Sequence, residues 1–211
     1  MTPIIIVKRP VKLSADHVAQ NRERVLDAAL GLFRTRGFDR VSVSDLMREA
    51  GLTHGGFYNH FTSKGDLAAQ ACARAFAAAF EALREADAKP ARAGRVGGLR
   101  GFIARYLSRS WRDADGAHCP MVAFAADAAR DPQTAGDQFA AGTRAYVDQV
   151  AALLTGSEAE RRREALFVVA ILTGALTLAR GVREADRALS DALLEAAREE
   201  LLARLSENKG E

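Results

Sequence analysis

The feature that most constrains this chain of 211 residues is the stretch 42–61, which reads SVSDLMREAGLTHGGFYNHF. Ser42 and Asp45 have the spacing of a capping box, in which each side chain binds the backbone amide of the other at the start of a helix. Gly51 stands where that helix has to end and the chain has to reverse, a position that favours positive φ. A second short helix is predicted over residues 54–60. Two short helices around a tight turn form a helix-turn-helix, whose second helix commonly lies in a DNA major groove.

The composition of the second helix favours this use. Gly55 and Gly56 each cost about 1 kcal/mol relative to alanine in a helix, a defect that a helix made only to fill a core would seldom carry. Glycines on a groove-facing surface instead let the backbone approach a phosphate or a base edge. Phe57 and Phe61, four residues apart, are expected to anchor the helix inward. The alternative is a solvated aromatic helix in an unrelated α-helical protein.

The segment HGGFYNHFTSK resembles the DNA-binding signature of the tetracycline-repressor (TetR) family, whose members share a YxHFxSKxxL core. Here that core runs from Tyr58 to Leu67, and residues 24–53 are similar to the family's first two helices. The resemblance covers residues 20–68 and is weaker beyond them. It implies an all-α protein of about nine helices, with an N-terminal three-helix helix-turn-helix DNA-binding domain followed by a helical ligand-binding and dimerisation domain.

Carried over residue by residue, the resemblance implies a set of DNA contacts. Phosphate contacts are expected from Thr53, Tyr58 and Lys64, with Ser42 and Ser44 as a second rank and Arg48 as a weaker candidate. Base-edge contacts are expected from His54, Gly55, Asn59 and His60, and Gly56 completes the DNA-binding set. The partner is double-stranded DNA carrying a palindromic operator, because a two-fold dimer presents two such helices.

The distribution of charge agrees with phosphate binding. The chain carries a formal net charge of +3. Residues 1–64 hold ten Lys and Arg against six Asp and Glu, whereas residues 65–211 hold twenty against twenty-one. The excess positive charge therefore lies in the segment that contains the helix-turn-helix. Lys8, Arg9 and Lys12 either reach into a minor groove or are the incidental charge of a disordered tail.

The rest of the chain is predicted to be helical, without strand patterns or repeats. Residues 1–13 are predicted to be a flexible arm and residues 14–64 the helix-turn-helix domain. Residues 65–89 form a connector helix, and a break at 89–94 marks the domain boundary. Residues 90–211 are then the effector-binding and dimerisation domain.

Further helix ends follow from caps and breaks. Capping boxes are predicted at Ser63 with Asp66 and at Ser157 with Glu160. In the last domain, predicted helices begin near Leu99 and at Pro120, Thr134, Glu158 and Ala188, the first of them running on to about Asp113.

The two C-terminal helices, about 158–182 and 188–206, are unusually apolar. The first is almost entirely apolar from Ala165 to Ala179, and Gly174 and Ala175 within it allow another helix to approach closely. The resemblance implies that a partner subunit covers these helices in a four-helix bundle, giving a homodimer. Ordinary burial in the core is the alternative and accounts for part of the same pattern.

Other functional classes find little support in the sequence. The sequence is expected to contain no continuous apolar stretch of about 18 residues. The chain is therefore predicted not to span a membrane and to lie in the cytoplasm. Two cysteines, Cys72 and Cys119, make no disulfide framework. There is no GxSxG, HExxH, P-loop or CxxC motif. We therefore expect no enzyme activity, no catalytic residues, no metal site and no cofactor.

Cys119 is the one local feature with reactive potential. It precedes Pro120 at a predicted helix start and follows His118. A helix N-terminus favours a thiolate, so the pKa of this thiol is expected to be lowered. Some members of the family that the chain resembles respond to electrophiles or oxidants. The alternative is a structural cysteine buried in the C-terminal domain.

The predicted effector pocket is largely apolar, and the effector's identity is not encoded in the motif. Its expected lining is Phe102, Tyr106, Trp111, Cys119, Phe124, Phe139, Tyr146 and Phe167. The predicted function is a sequence-specific DNA-binding transcriptional regulator, a repressor released from its operator by a small effector or by thiol modification. The alternative is a helical ligand-binding protein or enzyme that uses Cys119, with the helix-turn-helix as an interaction module.

Overall fold

The computed structural model describes residues 15–88, 98–114 and 119–207. The predicted arm, the predicted break at 89–94 and His118 lie outside these residues. The domain bounds therefore stay predictions.

The described residues form nine α-helices, a 3₁₀ helix and a π-helical turn, with no strand among them. Their bounds are α1 Ala15–Arg36, α2 Val43–Glu49, the 3₁₀ helix His54–Asn59, α3 Lys64–Ala88, α4 Gly98–Tyr106, α5 Arg109–Asp113, α6 Pro120–Arg130, the π-helical turn Pro132–Gly136, α7 Asp137–Ala152, α8 Glu158–Val182 and α9 Arg187–Glu207. The all-α fold class, with an N-terminal helix-turn-helix before a helical domain, is confirmed.

The first three elements form the helix-turn-helix unit as predicted. Helix α1 buries Val25, Ala29 and Phe33, which lie at helical spacing on one face. The capping box of Ser42 and Asp45 is complete, with both reciprocal bonds present. Gly51 ends the turn with a φ of +67°, a conformation that a side chain with a Cβ would strain.

The second helix of this unit differs from the prediction, because it is a 3₁₀ helix rather than an α-helix. Its backbone bonds run three residues back, from the Gly56 amide to the Thr53 carbonyl and from the His60 amide to the Phe57 carbonyl. Thr53 occupies the N-cap position but makes no side-chain capping bond. Two adjacent glycines and the missing cap both weaken α-helical geometry, which explains the tighter form.

Two helix boundaries and one helix cap in the rest of the chain also differ from the prediction. The expected fifth helix is two helices, α4 and α5, because the Ser108 hydroxyl accepts the Trp111 amide at 3.1 Å and starts a new helix. At the start of α3, the Ser63 hydroxyl accepts the Asp66 amide, but the Asp66 carboxylate binds Thr62 rather than Ser63. Helix α7 begins at Asp137, three residues later than expected, because the π-helical turn precedes it.

Helix α3 is the element that joins the two parts of the molecule. It packs against α1 on one side and against α4 and α7 on the other. Helices α8 and α9 form a hairpin that closes the helical domain. The capping box of Ser157 and Glu160 that starts α8 is complete, as predicted.

A buried arginine links α5 to the two helices of this hairpin through hydrogen bonds and ion pairs. Arg112 of α5 is 1% exposed and pairs with Asp113 and with Asp191 of α9, at 2.8 and 2.6 Å. It also donates to the Ser190 hydroxyl at 2.7 Å, which in turn donates to the Ala179 carbonyl of α8. The spacing of residues along the chain gives no hint of this network.

Helix α8 corrects one expectation about apolar runs. Its 25 residues include an 18-residue window with a mean hydropathy of 2.0, so by length and composition alone it is apolar enough to cross a membrane. One third of that window is buried inside the fold, where Val168, Leu172 and Leu176 belong to the core. The expectation that no such run exists was wrong.

Candidate nucleic-acid interface and ligand cavity

The 3₁₀ helix packs against the core through buried aromatic side chains and exposes polar groups to the solvent. Phe57 is fully buried and Phe61 is 2% exposed, with ring centroids 5.7 Å apart. Tyr58, between them in sequence, is 68% exposed. The guanidinium of Arg22 lies 5.1 Å from the Phe61 ring centroid and attaches this surface to α1. The amphipathic division expected from the sequence is therefore present.

Most of the ten predicted DNA contacts lie at the surface. The exposed ones are Ser42, Ser44, Thr53, His54, Gly55, Tyr58 and Asn59. The half-buried ones are Gly56, His60 and Lys64. They belong to the N-termini of α2 and α3 and to the 3₁₀ helix between them. Backbone amides at helix N-termini are favourable neighbours for phosphate oxygens.

Two of the candidate contacts on α2 already have internal partners. The Ser42 hydroxyl donates to the Asp45 carboxylate at 2.6 Å and accepts the Asp45 amide at 3.1 Å. Arg48 is ion-paired with the same carboxylate. The bonds from Ser42, and then that from Arg48, lower the pKa of Asp45 to about 2. A phosphate contact from Ser42 would therefore compete with the capping box.

His60 has one ring nitrogen turned inward. Its Nδ1 is buried, and no hydrogen-bond partner for it exists among the described residues. The ring lies beside Phe61, at a centroid distance of 6.5 Å. The Nε2 edge is therefore the part of His60 left for a base or phosphate.

A cavity of about 200 Å³ lies where the helix-turn-helix unit meets the helical domain. Its lining comprises Arg34, Ala78, Ala79, Ala82, Phe102, Tyr106, Trp111, Cys119, Met121 and Tyr146. These residues come from six helices, α1 and α3 to α7. Aromatic and aliphatic side chains with a few polar groups are the usual lining of a small-molecule site.

Five of the eight predicted pocket residues line this cavity, namely Phe102, Tyr106, Trp111, Cys119 and Tyr146. The other three lie elsewhere. Phe124 packs on Phe38 at 5.4 Å, Phe139 on Phe76 at 5.9 Å, and Phe167 lies under Arg204 at 4.4 Å, each distance measured to ring centroids. Helical periodicity predicts that all eight side chains face inward, but it does not predict which of them line a cavity.

Cys119 corrects the expectation of a reactive thiolate. It is the N-cap of α6 with Pro120 at the first helical position, as predicted. It is only 3% exposed, and burial raises its pKa more than the Tyr106 hydroxyl and the amides of Val122 and Met121 lower it. Desolvation therefore outweighs the field of the helix N-terminus.

The sequence did not predict five of the ten lining residues, and Arg34 is the charged one among them. It belongs to the last turn of α1, within the helix-turn-helix unit, yet lines the cavity beside residues of the helical domain. No local pattern distinguishes it from Arg36, which is exposed two residues later. Only the packing of α1 against the domain brings it to this position.

Helix α6 connects the cavity to the helix-turn-helix unit. Cys119 and Met121 at its start line the cavity, while Phe124 in its middle packs on Phe38. Farther along, the buried Asp127 carboxylate lies against Gly37, 3.1 Å from where a Cβ would stand. A movement of α6 would therefore displace Gly37 and Phe38, which directly follow α1.

Among the described residues, no group of three or more His, Cys, Asp or Glu side chains is placed to hold a metal ion. Cys72 and Cys119 are both buried free thiols.

Comparison with known proteins identifies the helix-turn-helix. A family model described as "Bacterial regulatory proteins, tetR family" matches residues 25–71. The HTH-type transcriptional repressor Rv1474c of Mycobacterium tuberculosis is 32% identical over 100 residues, which are 47% of this chain and 50% of that protein. The HTH-type transcriptional regulator AcrR of Shigella flexneri is 40% identical over 48 residues, 23% of this chain and 22% of that protein. The chain thus spans half or less of these curated relatives.

Solved structures extend the likeness to the whole fold. A TetR transcriptional regulator from Chloroflexus aurantiacus superposes with a TM-score of 0.74 at 25% identity, covering 90% of this chain and 96% of that one. The reduced form of NemR from E. coli superposes with a TM-score of 0.70 at 20% identity, covering 86% and 95%. At that identity, the second likeness concerns the fold alone.

Proposed function

Because the chain belongs to the tetR family of bacterial regulatory proteins, we propose that it is a dimeric, sequence-specific transcriptional regulator of the cytoplasm. It acts as a repressor that a small effector releases from a palindromic operator. The observation that carries this proposal is the 3₁₀ helix, whose exposed Tyr58 and Asn59 lie in sequence between the buried anchors Phe57 and Phe61. A surface of this kind has its polar groups ready for a groove.

Two substitutions test the DNA contacts. Lys64→Ala removes a charge at the N-terminus of α3, so it should weaken binding to all sequences and reduce the salt slope by about one. Asn59→Ala should instead relax sequence preference. Arg84→Ala, which removes an exposed arginine farther along α3, serves as the control. Affinities for a selected operator and for random DNA are measured at several salt concentrations. If Lys64→Ala and Asn59→Ala both bind these DNAs with the affinities of the parent protein, the assignment of the DNA contacts is wrong.

The dimer is proposed to form through α8 and α9. Along α8, Leu166, Ala170, Gly174 and Leu178 are all exposed and lie four residues apart, on one face. Leu166 and Leu178 are 51% and 56% exposed, and a Cβ added at Gly174 would meet nothing within 4 Å. An apolar stripe with small residues at its centre suits a closely approaching second helix.

Leu178→Glu tests this interface. It places a charge in the apolar stripe, so we expect a monomer in sedimentation equilibrium and weak operator binding. Val18→Glu, at an apolar position of α1 that is 37% exposed, should leave the oligomeric state unchanged. A Leu178→Glu protein that sediments as the parental dimer would contradict the interface.

Effector release is proposed to act through α6. A molecule in the cavity contacts the start of this helix, and Phe124 transmits its displacement to Phe38, two residues beyond the end of α1. The recognition helices of a dimer would then no longer match the spacing of the operator. The size of the effect is limited by the difference in effector affinity between the two geometries.

A further inference from the structure

Among the described residues, the lining of the cavity contains an arginine but no acidic side chain. Among its ten lining residues the only charged group is Arg34, and the other polar side chains are Tyr106, Tyr146, Trp111 and Cys119. The remaining lining is alanine, phenylalanine and methionine. A site of this composition attracts negative charge and apolar surface together.

Arg34 has no carboxylate partner in the part of the chain that the structure describes. Among the described residues it forms no ion pair, and its buried Nε has no hydrogen-bond partner. Burial lowers the pKa of Arg34, but an arginine starts from so high a pKa that it stays charged at neutral pH. A half-buried guanidinium without a carboxylate is costly, and an anion supplied from outside would remove that cost. By contrast, Arg112 has two carboxylates in contact.

Tyr106 supplies a second polar group. Its side chain is 3% exposed, and its hydroxyl lies near the Cys119 thiol, whose pKa it lowers, but among the described residues no atom meets the distance and angle of a hydrogen bond to it. A buried hydroxyl without a partner is uncommon in a native fold. Since Tyr106 lines the same cavity as Arg34, its hydroxyl can donate a hydrogen bond to a ligand oxygen.

Two further arginines make the surroundings of the cavity positive. The Arg105 guanidinium lies over the rings of Phe102 and Trp111, at 5.7 and 5.6 Å from their centroids. Arg180 donates to the backbone carbonyls of Trp111 and Arg112 at 3.1 and 3.2 Å. Both therefore lie next to lining residues and add to the positive potential.

From these observations we infer that the cavity binds a small monocarboxylic acid, with its carboxylate on Arg34 and Tyr106 and its apolar body among Phe102, Trp111 and Met121. The volume limits the body to about one ring, since a cavity of roughly 150 Å³ holds benzene. Arg34 can present two N–H groups to the two carboxylate oxygens. The inference rests on the proposed effector control and names the chemical class of the effector.

The position of Arg34 gives the carboxylate a direct route to the DNA-binding unit. Arg34 belongs to α1, whereas Tyr106 belongs to α4 of the helical domain. A carboxylate bound to both therefore holds the two parts in one arrangement. Ligand binding and operator binding are then coupled through Arg34 as well as through α6.

The test compares acids with their neutral amides in the full-length protein. Benzoate and hexanoate are titrated calorimetrically beside benzamide and hexanamide, without DNA. We expect at least one acid to bind parent protein tenfold or more tightly than its amide. Arg34→Gln should abolish that preference by weakening the acid far more than the amide, and Arg34→Lys should restore part of it. Tyr106→Phe should weaken the acid a few-fold.

Arg36→Gln is the matched control, because Arg36 is on the same turn of α1 but does not line the cavity. Circular dichroism and melting temperature check that each variant is folded. No preference for either acid in the parent, or an equal preference in Arg34→Gln, would overturn the inference. Operator release is measured separately by fluorescence anisotropy. Arg34-dependent acid binding without operator release would support the carboxylate site and contradict the proposed effector control. Operator release without a preference for the acid would support effector control and contradict the carboxylate site.

Discussion

The helix-turn-helix unit and the helical domain are both all-α, yet they are specified over different distances along the chain. In the first, Ser42 and Asp45 define a helix start within three residues, and Gly51 defines its end. In the second, Arg112 joins residues that are 78 and 79 positions away. Local signals build the surface that is proposed to face DNA, whereas long-range packing builds the cavity and the network around it.

The two regions also differ in where they place charge. Around the helix-turn-helix, the ion pairs of Arg48 and Arg74 lie at the surface. In the helical domain, the side chains of Arg112 and Asp127 are almost completely buried. Surface pairs contribute little to stability, whereas removing one member of a buried network leaves the others without compensation. Substitutions in the helical domain should therefore have the larger effects.

Arg112→Ala is expected to have the largest effect. It removes the buried group that holds Asp113, Ser190 and Asp191, and it leaves a void between α5 and α9. Because both carboxylates are partly exposed and keep other arginine partners, we expect a loss of about 2–4 kcal/mol in the free energy of unfolding. Urea denaturation at fixed protein concentration measures it.

Arg109→Ala is the control, because Arg109 pairs with the same Asp191 at 3.1 Å but its side chain is 69% exposed. Its loss should cost less than about 1 kcal/mol. Equal losses in the two variants would show that burial of Arg112 does not matter, and the contrast between the two regions would fail.

Gly142→Ala is expected to have the second-largest effect. A Cβ at this position of α7 would lie 2.4 Å from the Phe76 ring, which is 2% exposed and has little room to move. The clash should cost about 1–3 kcal/mol, reduced by the better helix propensity of alanine. Gly31→Ala in α1 meets nothing within 4 Å and should stabilise the protein by about 1 kcal/mol. Thermal unfolding of both variants should therefore shift in opposite directions, and a shift in the same direction would contradict the packing.

The contrast explains which features could be predicted from the sequence. Capping boxes, the glycine turn and the paired phenylalanines depend on residues within a few positions, so the predicted helix starts at Ser42 and Ser157 were confirmed. The 3₁₀ form of the second helix was not predicted, because two adjacent glycines weaken an α-helix without specifying which form replaces it. The break at Ser108 was missed because the apolar pattern continues across it.

The cavity was only partly predictable. Aromatic residues on α4, α5 and α7 were expected to face inward, and five of the eight expected residues line it. Arg34 was not foreseen, because its position depends on how α1 packs against a domain that begins many residues later. The pKa of Cys119 was predicted in the wrong direction, because a helix start is visible in sequence and the depth of burial is not.

Thiol reactivity gives a third test, of intermediate size. Burial raises the pKa of Cys72 to about 11 and also raises that of Cys119. Less thiolate is then present at neutral pH, so each thiol should react with iodoacetamide at least tenfold more slowly than N-acetylcysteine. The rate should increase as the pH rises toward the pKa. Cys72→Ser and Cys119→Ser proteins report on one thiol each, and a Cys119 as fast as the free thiol would restore the case for a thiolate sensor.

The smallest effect concerns the capping box of the helix-turn-helix unit, which can be tested by titrating one carboxylate. The pKa of Asp45 is about 2, mainly because of two bonds from Ser42 and secondarily because of Arg48. A depressed pKa means that the stabilisation is present above the unfolded value of about 3.9 and is lost as the pH falls through about 2. Carboxyl NMR should therefore show a midpoint near 2 in the parent. Ser42→Ala should raise it toward 3.9, and Arg48→Ala should raise it less. If Arg48→Ala causes the larger shift, the ion pair rather than the local cap holds this carboxylate, and the start of α2 in the helix-turn-helix unit depends on charge more than on the capping box.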